Sequence, residues 1–191
     1  MTEAKIPYYP FPETAAKALA MMCNFSEWMR KPMTQIKVYD DVDKERVKQI
    51  IAKAKTRTPV SILETEGYEI MKAYKLPTLA YALVKDETQA VKNAQGLGYP
   101  CVLKIVSPDI LHKTDVGGVM VDIENEEELR MKYKDLIDNV KKAKPDARIE
   151  GVLVQPMASK GVETIIGIKR DPQFGSLIMF GIGGIYVEVF K

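Results

Sequence analysis

The chain has 191 residues, of which 46% are hydrophobic and 28% charged, the composition of a globular protein rather than a disordered one. Its 28 basic and 26 acidic residues leave a net charge of +2, too even a balance for the broad basic footprint of a nucleic-acid binder. The longest early apolar run, Ala18 to Cys23, is too short to span a bilayer and follows no signal-peptide pattern, so a cytoplasmic protein without a membrane anchor is expected.

In chain order, Pro12 suits a first helical turn and Glu13 complements its dipole. Ala15, Ala18, Leu19, Met22, Phe25 and Met29 then recur at three and four residues, which predicts a helix with one apolar face, ended by Pro32. A second helix is predicted over Asp43 to Lys55, with Val47, Ile50, Ile51 and Ala54 on one side. Thr56-Arg57-Thr58-Pro59 reads as a linker and places a boundary at 58/59. Ser61 and Glu64 have capping-box spacing ahead of a helix that carries Leu63, Gly67, Ile70, Met71 and Tyr74 and stops at Leu76-Pro77.

Thr78 to Leu83 is a candidate strand. Asp86 caps a helix with Ala90, Val91, Ala94 and Leu97, and Gly98 ends it. Cys101 to Val106 is an apolar run broken by one lysine, Gly118 to Ile123 alternates as a strand does, and Glu126 to Ala143 carries Leu129, Tyr133, Leu136, Ile137 and Val140 at helical spacing. Gly151 to Gln155, Glu163 to Lys169, Ser176 to Phe180 and Tyr186 to Phe190 are further strands. Residues after about 60 therefore form a mixed α+β (α/β) body. Its β-rich tail needs a covering layer to bury both faces, which predicts an unfinished domain. Cys23 and Cys101 form no C-x-x-C pair and read as small, reduced core residues.

Few residues carry chemistry, and each has two readings. His112 is the only histidine, which excludes a multi-histidine metal site or a Ser-His-Asp triad built elsewhere. It lies in the loop Ser107 to Gly118, either as a surface residue or as a base, metal ligand or covalent phosphate carrier. In the last case Lys113 neutralises the added charge, and Gly117-Gly118 acts as a hinge or meets phosphate with bare backbone. Lys104 shares a strand face with Val102 and Val106; it either meets a phosphate or pairs a local carboxylate and snorkels outward. Gly181-Ile182-Gly183-Gly184 is a tight β turn or a phosphate cradle, and it is not a P-loop because no G-K-[ST] follows. Glu163 is a solvated strand end or an acceptor of ribose hydroxyls. Gln155-Pro156-Met157 is a strand exit, or a hinge whose main chain reads an adenine edge with Met157 packed on the base. Taken in order, these features describe a nucleotide cleft between two small lobes.

The strings Tyr99-Pro100-Cys101-Val102-Leu103-Lys104-Ile105-Val106-Ser107-Pro108, His112-Lys113-Thr114-Asp115-Val116-Gly117-Gly118-Val119, Arg170-Asp171-Pro172-Gln173-Phe174-Gly175 and Phe180-Gly181-Ile182-Gly183-Gly184 resemble the nucleotide-binding part of ADP-forming acyl-CoA synthetases, relatives of succinyl-CoA synthetase with an ATP-grasp fold. The resemblance runs from about Pro59 to Lys191. Pro7, Pro10, Pro12-Glu13, Trp28 and Pro32 more weakly resemble the segment that ends the CoA-ligase portion of fused members. It implies a helical arm and linker over 1–58 and an incomplete ATP-grasp domain over 59–191. The N-terminal lobe with the histidine loop is expected at about 78–148, and the start of a truncated C-terminal lobe at about 149–191.

The resemblance also implies a chemistry. Acyl-CoA, ADP and phosphate interconvert with carboxylic acid, CoA and ATP through a phosphohistidine relay. His112 matches the loop-borne histidine, with Lys113, Asp115, Gly117 and Gly118 supporting the loop. Lys104 matches the lysine on the nucleotide phosphates, Gln155 and Met157 the adenine hinge, Glu163 the ribose acid, and Gly181, Gly183 and Gly184 the glycine-rich segment by the phosphates. The implied cofactors are ATP or ADP and Mg²⁺, with metal ligands beyond this stretch, and CoA bound by another domain or subunit. The implied partners are that CoA-ligase part, a small carboxylic acid, and further copies in an oligomer. Alone, this stretch is expected not to turn over. Two other readings stand beside it: a non-catalytic ATP-grasp-like docking module, and an ATP-grasp ligase without phosphohistidine.

Overall fold

The structure, a computed structural model, describes residues 7–32 and 37–184. The strand expected over Tyr186 to Phe190 lies outside them. The chain divides into two compact units, Met1–Asp41 and Val42–Lys191. Among the described residues no helix is long and apolar enough to cross a membrane.

The first unit is built on helix α1 (Pro12–Arg30), which opens with proline in its first turn and closes on Lys31. Its apolar face is not a core: Leu19, Met22, Phe25, Trp28 and Met29 are all exposed. Phe25 and Trp28 meet at 5.9 Å between ring centroids. Cys23 is exposed here, which corrects the expectation of a core residue; Cys101 is buried as expected, and both are free thiols.

The second unit begins with α2 (Lys44–Lys55) and α3 (Glu64–Ala73), which pack on each other. Asp43 caps α2 by accepting from the Arg46 N–H at 2.9 Å, and Val47, Ile50 and Ala54 are buried while Ile51 faces outward. The cap of α3 differs from the expected Ser61–Glu64 box. The N-cap position is Leu63, whose own N–H donates to the Glu66 carboxylate at 3.0 Å. Arg57 holds the same carboxylate and also donates to the Ser61 carbonyl at 2.9 Å. The helix therefore starts two residues later than Ser61 spacing implies, because Glu66 and not Glu64 serves the cap.

Four strands follow: β1 (Ala82–Val84), β2 (Cys101–Val106), β3 (Val119–Ile123) and β4 (Gly151–Pro156). They form one antiparallel sheet in the order β1-β4-β2-β3. Helix α4 (Glu87–Leu97) lies between β1 and β2 in sequence, capped by Asp86 and ended at Gly98, and α5 (Glu126–Ala143) follows β3, capped by Asn125. Alternation sorts the residues. Cys101, Leu103, Ile105, Val152 and Val154 join Ala90, Val91, Ala94, Leu129, Leu136 and Val140 in one core under α4 and α5. Val102, Lys104, Val106, Leu153 and Gln155 point to the other face. β4 is a central strand of this sheet, so the segment expected to open the second lobe near 149 belongs to the first sheet. Its five consecutive buried residues, Gly151 to Gln155, fit a strand with neighbours on both sides.

The last two strands, β5 (Thr164–Asp171) and β6 (Gly175–Ile182), form a separate antiparallel hairpin. Asp171 closes its turn by accepting from the Gln173 and Phe174 N–H groups at 2.8 and 2.9 Å.

Candidate functional site

Lys104 stands at the middle of β2, opposite Leu153 across the ladder, on the sheet face away from α4 and α5. Its ammonium is half-buried and meets a carboxylate: Nζ donates to Glu64 Oε1 at 2.9 Å. That carboxylate belongs to the first turn of α3. Its other oxygen, Oε2, accepts from Lys113 Nζ. The Tyr68 hydroxyl, one turn along α3, donates to Glu64 Oε1 at 3.0 Å and to Gln155 Oε1 at 3.2 Å as alternative acceptors. Tyr81 stacks on Tyr68 at 4.9 Å and bonds Glu69 at 3.0 Å.

The electrostatics follow from this packing. Burial opposes ionisation of Glu64, but the hydrogen bonds and charges of Lys104 and Lys113 outweigh it and hold the carboxyl below its ordinary range. Burial pushes the Tyr68 phenol up. Burial and the Glu69 carboxylate push Tyr81 to about 12. Gln155 is 2% exposed, and its Nε2 is buried without a hydrogen-bond partner. A buried amide donor without a partner is costly. Two ammonium groups, one carboxylate and an unused amide donor form a donor-rich set with one surplus positive charge, which fits a phosphorylated ligand.

The histidine loop is pinned at both ends. At its start Ser107 Oγ accepts from the Asp109 N–H at 3.1 Å, and Ile110 is buried. Asp109 accepts from Arg148 three times: from its N–H at 2.8 Å, Nε at 2.9 Å and Nη2 at 2.6 Å. Those bonds hold its carboxyl down at about 2. At its end a single 3₁₀ turn, Thr114–Val116, leads to Gly117. Gly118 donates to the Lys113 carbonyl at 2.7 Å and accepts from the Ile105 N–H at 2.8 Å. A Cβ on Gly118 would lie 2.6 Å from Ile105 Cγ2, so glycine is required by close approach to the core. Gly117 donates to the Thr114 carbonyl at 3.1 Å. Both amides are engaged inside the loop in this state.

His112 sits exposed between these anchors and, with Asp109, Asp115, Val116 and Lys144, lines a surface recess. Lys113 lines a different recess, with Ser61, Glu64, Ser107 and Leu111. The two neighbours line separate recesses, and Lys113 is engaged by Glu64.

Glu163, Gly181, Gly183 and Gly184 form a second group at the hairpin, and Met157 lies apart from them at the end of β4. The Gly183 N–H donates to the Glu163 carbonyl at 2.8 Å, and a Cβ on Gly184, whose φ is +66°, would touch Glu163 Oε2 at 2.7 Å. Gly181 pairs with Ile165 inside β6. Glu163 and the glycine turn are thus brought together, with a carboxylate against the turn. Met157 is half-buried, and its N–H donates to the Pro100 carbonyl at 2.9 Å, extending the β4–β2 ladder. Among the described residues no group of three or more His, Cys, Asp or Glu side chains could hold a metal ion. Mg²⁺ is thus assigned to no side chain here.

Two residues of the site, Glu64 and Tyr68, were not legible as functional. The available signal was the pair Glu64 and Glu66 at one helix start. One acid suffices for the cap, and the other is left for a different task.

Comparison with known proteins bears on what this arrangement does. Residues 46–191 match the family described as ATP-grasp domain. The chain is 43% identical over its whole length to a 4-hydroxybutyrate–CoA ligase [ADP-forming] of Nitrosopumilus maritimus, of which it spans 27%. It is 44% identical over 146 residues, 76% of the chain, to the beta subunit of an acetate–CoA ligase [ADP-forming] I of Pyrococcus furiosus, spanning 62% of that subunit. Among solved structures it is similar to the Candidatus Korarchaeum cryptofilum dinucleotide forming acetyl-coenzyme A synthetase 1. In complex with coenzyme A, Ca-AMPCP and HgCl⁺ that protein matches at a TM-score of 0.70 and 48% identity, over 77% of this chain and 63% of that one. In complex with coenzyme A and Mg-AMPPCP it has a phosphohistidine segment pointing towards the nucleotide binding site, and matches at a TM-score of 0.60 and 42% identity, over 75% of this chain and 60% of that one. The chain thus spans between about a quarter and three-fifths of the length of these relatives.

Proposed function

The chain belongs to the ATP-grasp domain family, and from that premise we propose that it is the nucleotide-binding and phosphohistidine-relay portion of an ADP-forming acyl-CoA ligase. The observation that carries the reading is the join between loop and strand. The residue after His112 shares one carboxylate with the strand lysine, so the relay loop and the nucleotide site meet at Glu64.

In this reading His112 accepts a phosphoryl group generated on a CoA-ligase domain or subunit, from a small acyl-CoA and phosphate. The N–P bond then breaks as a bond forms to the terminal phosphate oxygen of ADP, and the imidazole takes up one proton. Lys104 holds the nucleotide phosphates as a point charge on a rigid strand. Gln155 faces the same site with its unused amide. Glu163 with Gly183 and Gly184 supplies the nucleotide's other wall from the hairpin, near its ribose and phosphates. Asp109 and Arg148 fix where the loop begins, and Asp115 shares the recess of His112. In this reading the first unit, Met1–Asp41, precedes the nucleotide-binding portion, α2 belongs with that portion rather than with an arm ending at 58, and the whole enzyme is an oligomer of the cytoplasm.

The test uses the complete enzyme and γ-labelled ATP. Wild type acquires acid-labile, base-stable phosphate on this stretch, and His112→Ala acquires none. Equal labelling of both would overturn the relay.

A further inference from the structure

We propose that Glu64 is a positioning residue: it latches the histidine loop to the nucleotide site and gives up that latch when a nucleotide phosphate takes its place on Lys104. The inference rests on the function just proposed and adds the residue that couples its two halves.

Three features of the geometry lead there. First, the carboxylate is shared. Oε1 receives Lys104, which is fixed on a central strand, and Oε2 receives Lys113, which rides on the loop. Second, Glu64 is itself fixed. The start of α3 is set by Glu66, which receives the Leu63 N–H at 3.0 Å and the Arg57 guanidinium. Of the three charged partners, Lys113 alone lies outside a helix or strand. Third, the cluster is partly withdrawn from water, with side-chain exposures of 27% for Lys104 and 21% for both Glu64 and Lys113. Charges there interact more strongly than they do at an open surface.

Competition follows from charge. Two ammonium groups offset one carboxylate with one positive charge to spare. A diphosphate arriving at Lys104 brings more negative charge than that surplus, so phosphate and carboxylate repel each other across the same ammonium. Tyr68 eases the exchange, because its hydroxyl reaches Gln155 Oε1 at 3.2 Å as well as Glu64. With the carboxylate displaced, the side-chain tie on Lys113 is lost and the segment carrying His112 is released beside the nucleotide that needs it. The backbone anchors at Asp109 and Gly118 keep the ends of that segment in place.

The test measures hydrogen exchange over residues 110–117 and ADP affinity together, in the complete enzyme. In wild type ADP speeds exchange of this segment. In Glu64→Gln the segment exchanges about fivefold faster before ADP is added, by loss of local protection, and ADP changes it no further. ADP binds Glu64→Gln several-fold more tightly, since its phosphates no longer displace an anion. Lys113→Gln cuts the same latch from the loop side and loosens the segment equally, which keeps the test sound if Glu64→Gln folds poorly. If ADP binds wild type while the segment stays equally protected in all three proteins, the latch is wrong and the proposed function stands. If wild type binds no ADP at all, the functional reading fails, and the latch with it.

Discussion

β4 and β6 look alike as sequence and end in opposite circumstances. Gly151-Val152-Leu153-Val154-Gln155 is buried throughout, whereas Ile178 and Phe180 in Gly175-Ser176-Leu177-Ile178-Met179-Phe180-Gly181-Ile182 are 74% and 71% exposed. Both are short apolar runs opened by glycine. The difference lies in their neighbours. β4 has β1 on one side and β2 on the other, the α4–α5 core under one face, and a hydrogen bond from Tyr68 of α3 on the other. Among the described residues β6 pairs with β5 alone. Ile166 opposite Phe180 and Ile168 opposite Ile178 make a continuous apolar face that is open. An apolar run therefore specifies a strand, while the rest of the fold decides how much burial contributes to its stability.

The largest test of this contrast is a matched pair of truncations. Leu103→Ala, at a fully buried site of the sheet, should cost about 2–5 kcal/mol. Phe180→Ala, on the open hairpin face, should cost less than about 0.5 kcal/mol. Denaturant midpoints compared at unchanged slope read both. Comparable losses would show that the hairpin face is covered.

A second pair compares glycines. Gly118→Ala drives a methyl to 2.6 Å from Ile105 Cγ2 and should cost about 1–3 kcal/mol. Gly181→Ala meets nothing nearer than Ile165 Cγ2 at 3.9 Å and should leave the midpoint within about 0.5 kcal/mol.

The smallest effect is an acid titration of the body. Asp109 is held at about 2 against an ordinary 3.8 by its bonds to Arg148. A lowered folded value means that its stabilisation is complete above pH 3.8 and fades as pH falls toward 2. Asp109→Asn should therefore be less stable than wild type at neutral pH, with the gap closing over that window. Glu64 adds a loss of the same sign below its ordinary 4.5. A gap that stays constant down to pH 2 would show that the Arg148 contacts contribute nothing through charge.

Much of the fold is local and was legible as such. α4 shows its Asp86 cap, α4 and α5 both show their period of three and four, and β2 shows its apolar run with Lys104 on the face shared by Val102 and Val106. The open face of α1 was not legible, because amphipathic spacing marks a stripe without saying what covers it. Cys23 was expected in a core on residue type alone, which likewise does not say what covers it. The site was legible in part. His112 in its loop and Lys104 on its strand stood out by residue type. Glu64 and Tyr68 did not, because their contacts join residues far apart in sequence: Glu64 to Lys104, Glu64 to Lys113, and Tyr68 to Gln155. Local spacing assigned Glu64 to a helix cap that Glu66 serves. The close approach of Ile105 to Gly118 was not legible for a related reason, since it is a tertiary contact.

The most direct measurement charges the complete enzyme with labelled phosphate from the acyl-CoA side and then chases it with ADP. The account predicts label on His112 in wild type and in Lys104→Met, rapid passage of that label to ATP in wild type, and retention of it on His112 in Lys104→Met. Label that never reaches His112, or that leaves Lys104→Met for ADP as fast as it leaves wild type, would contradict a relay between loop and strand.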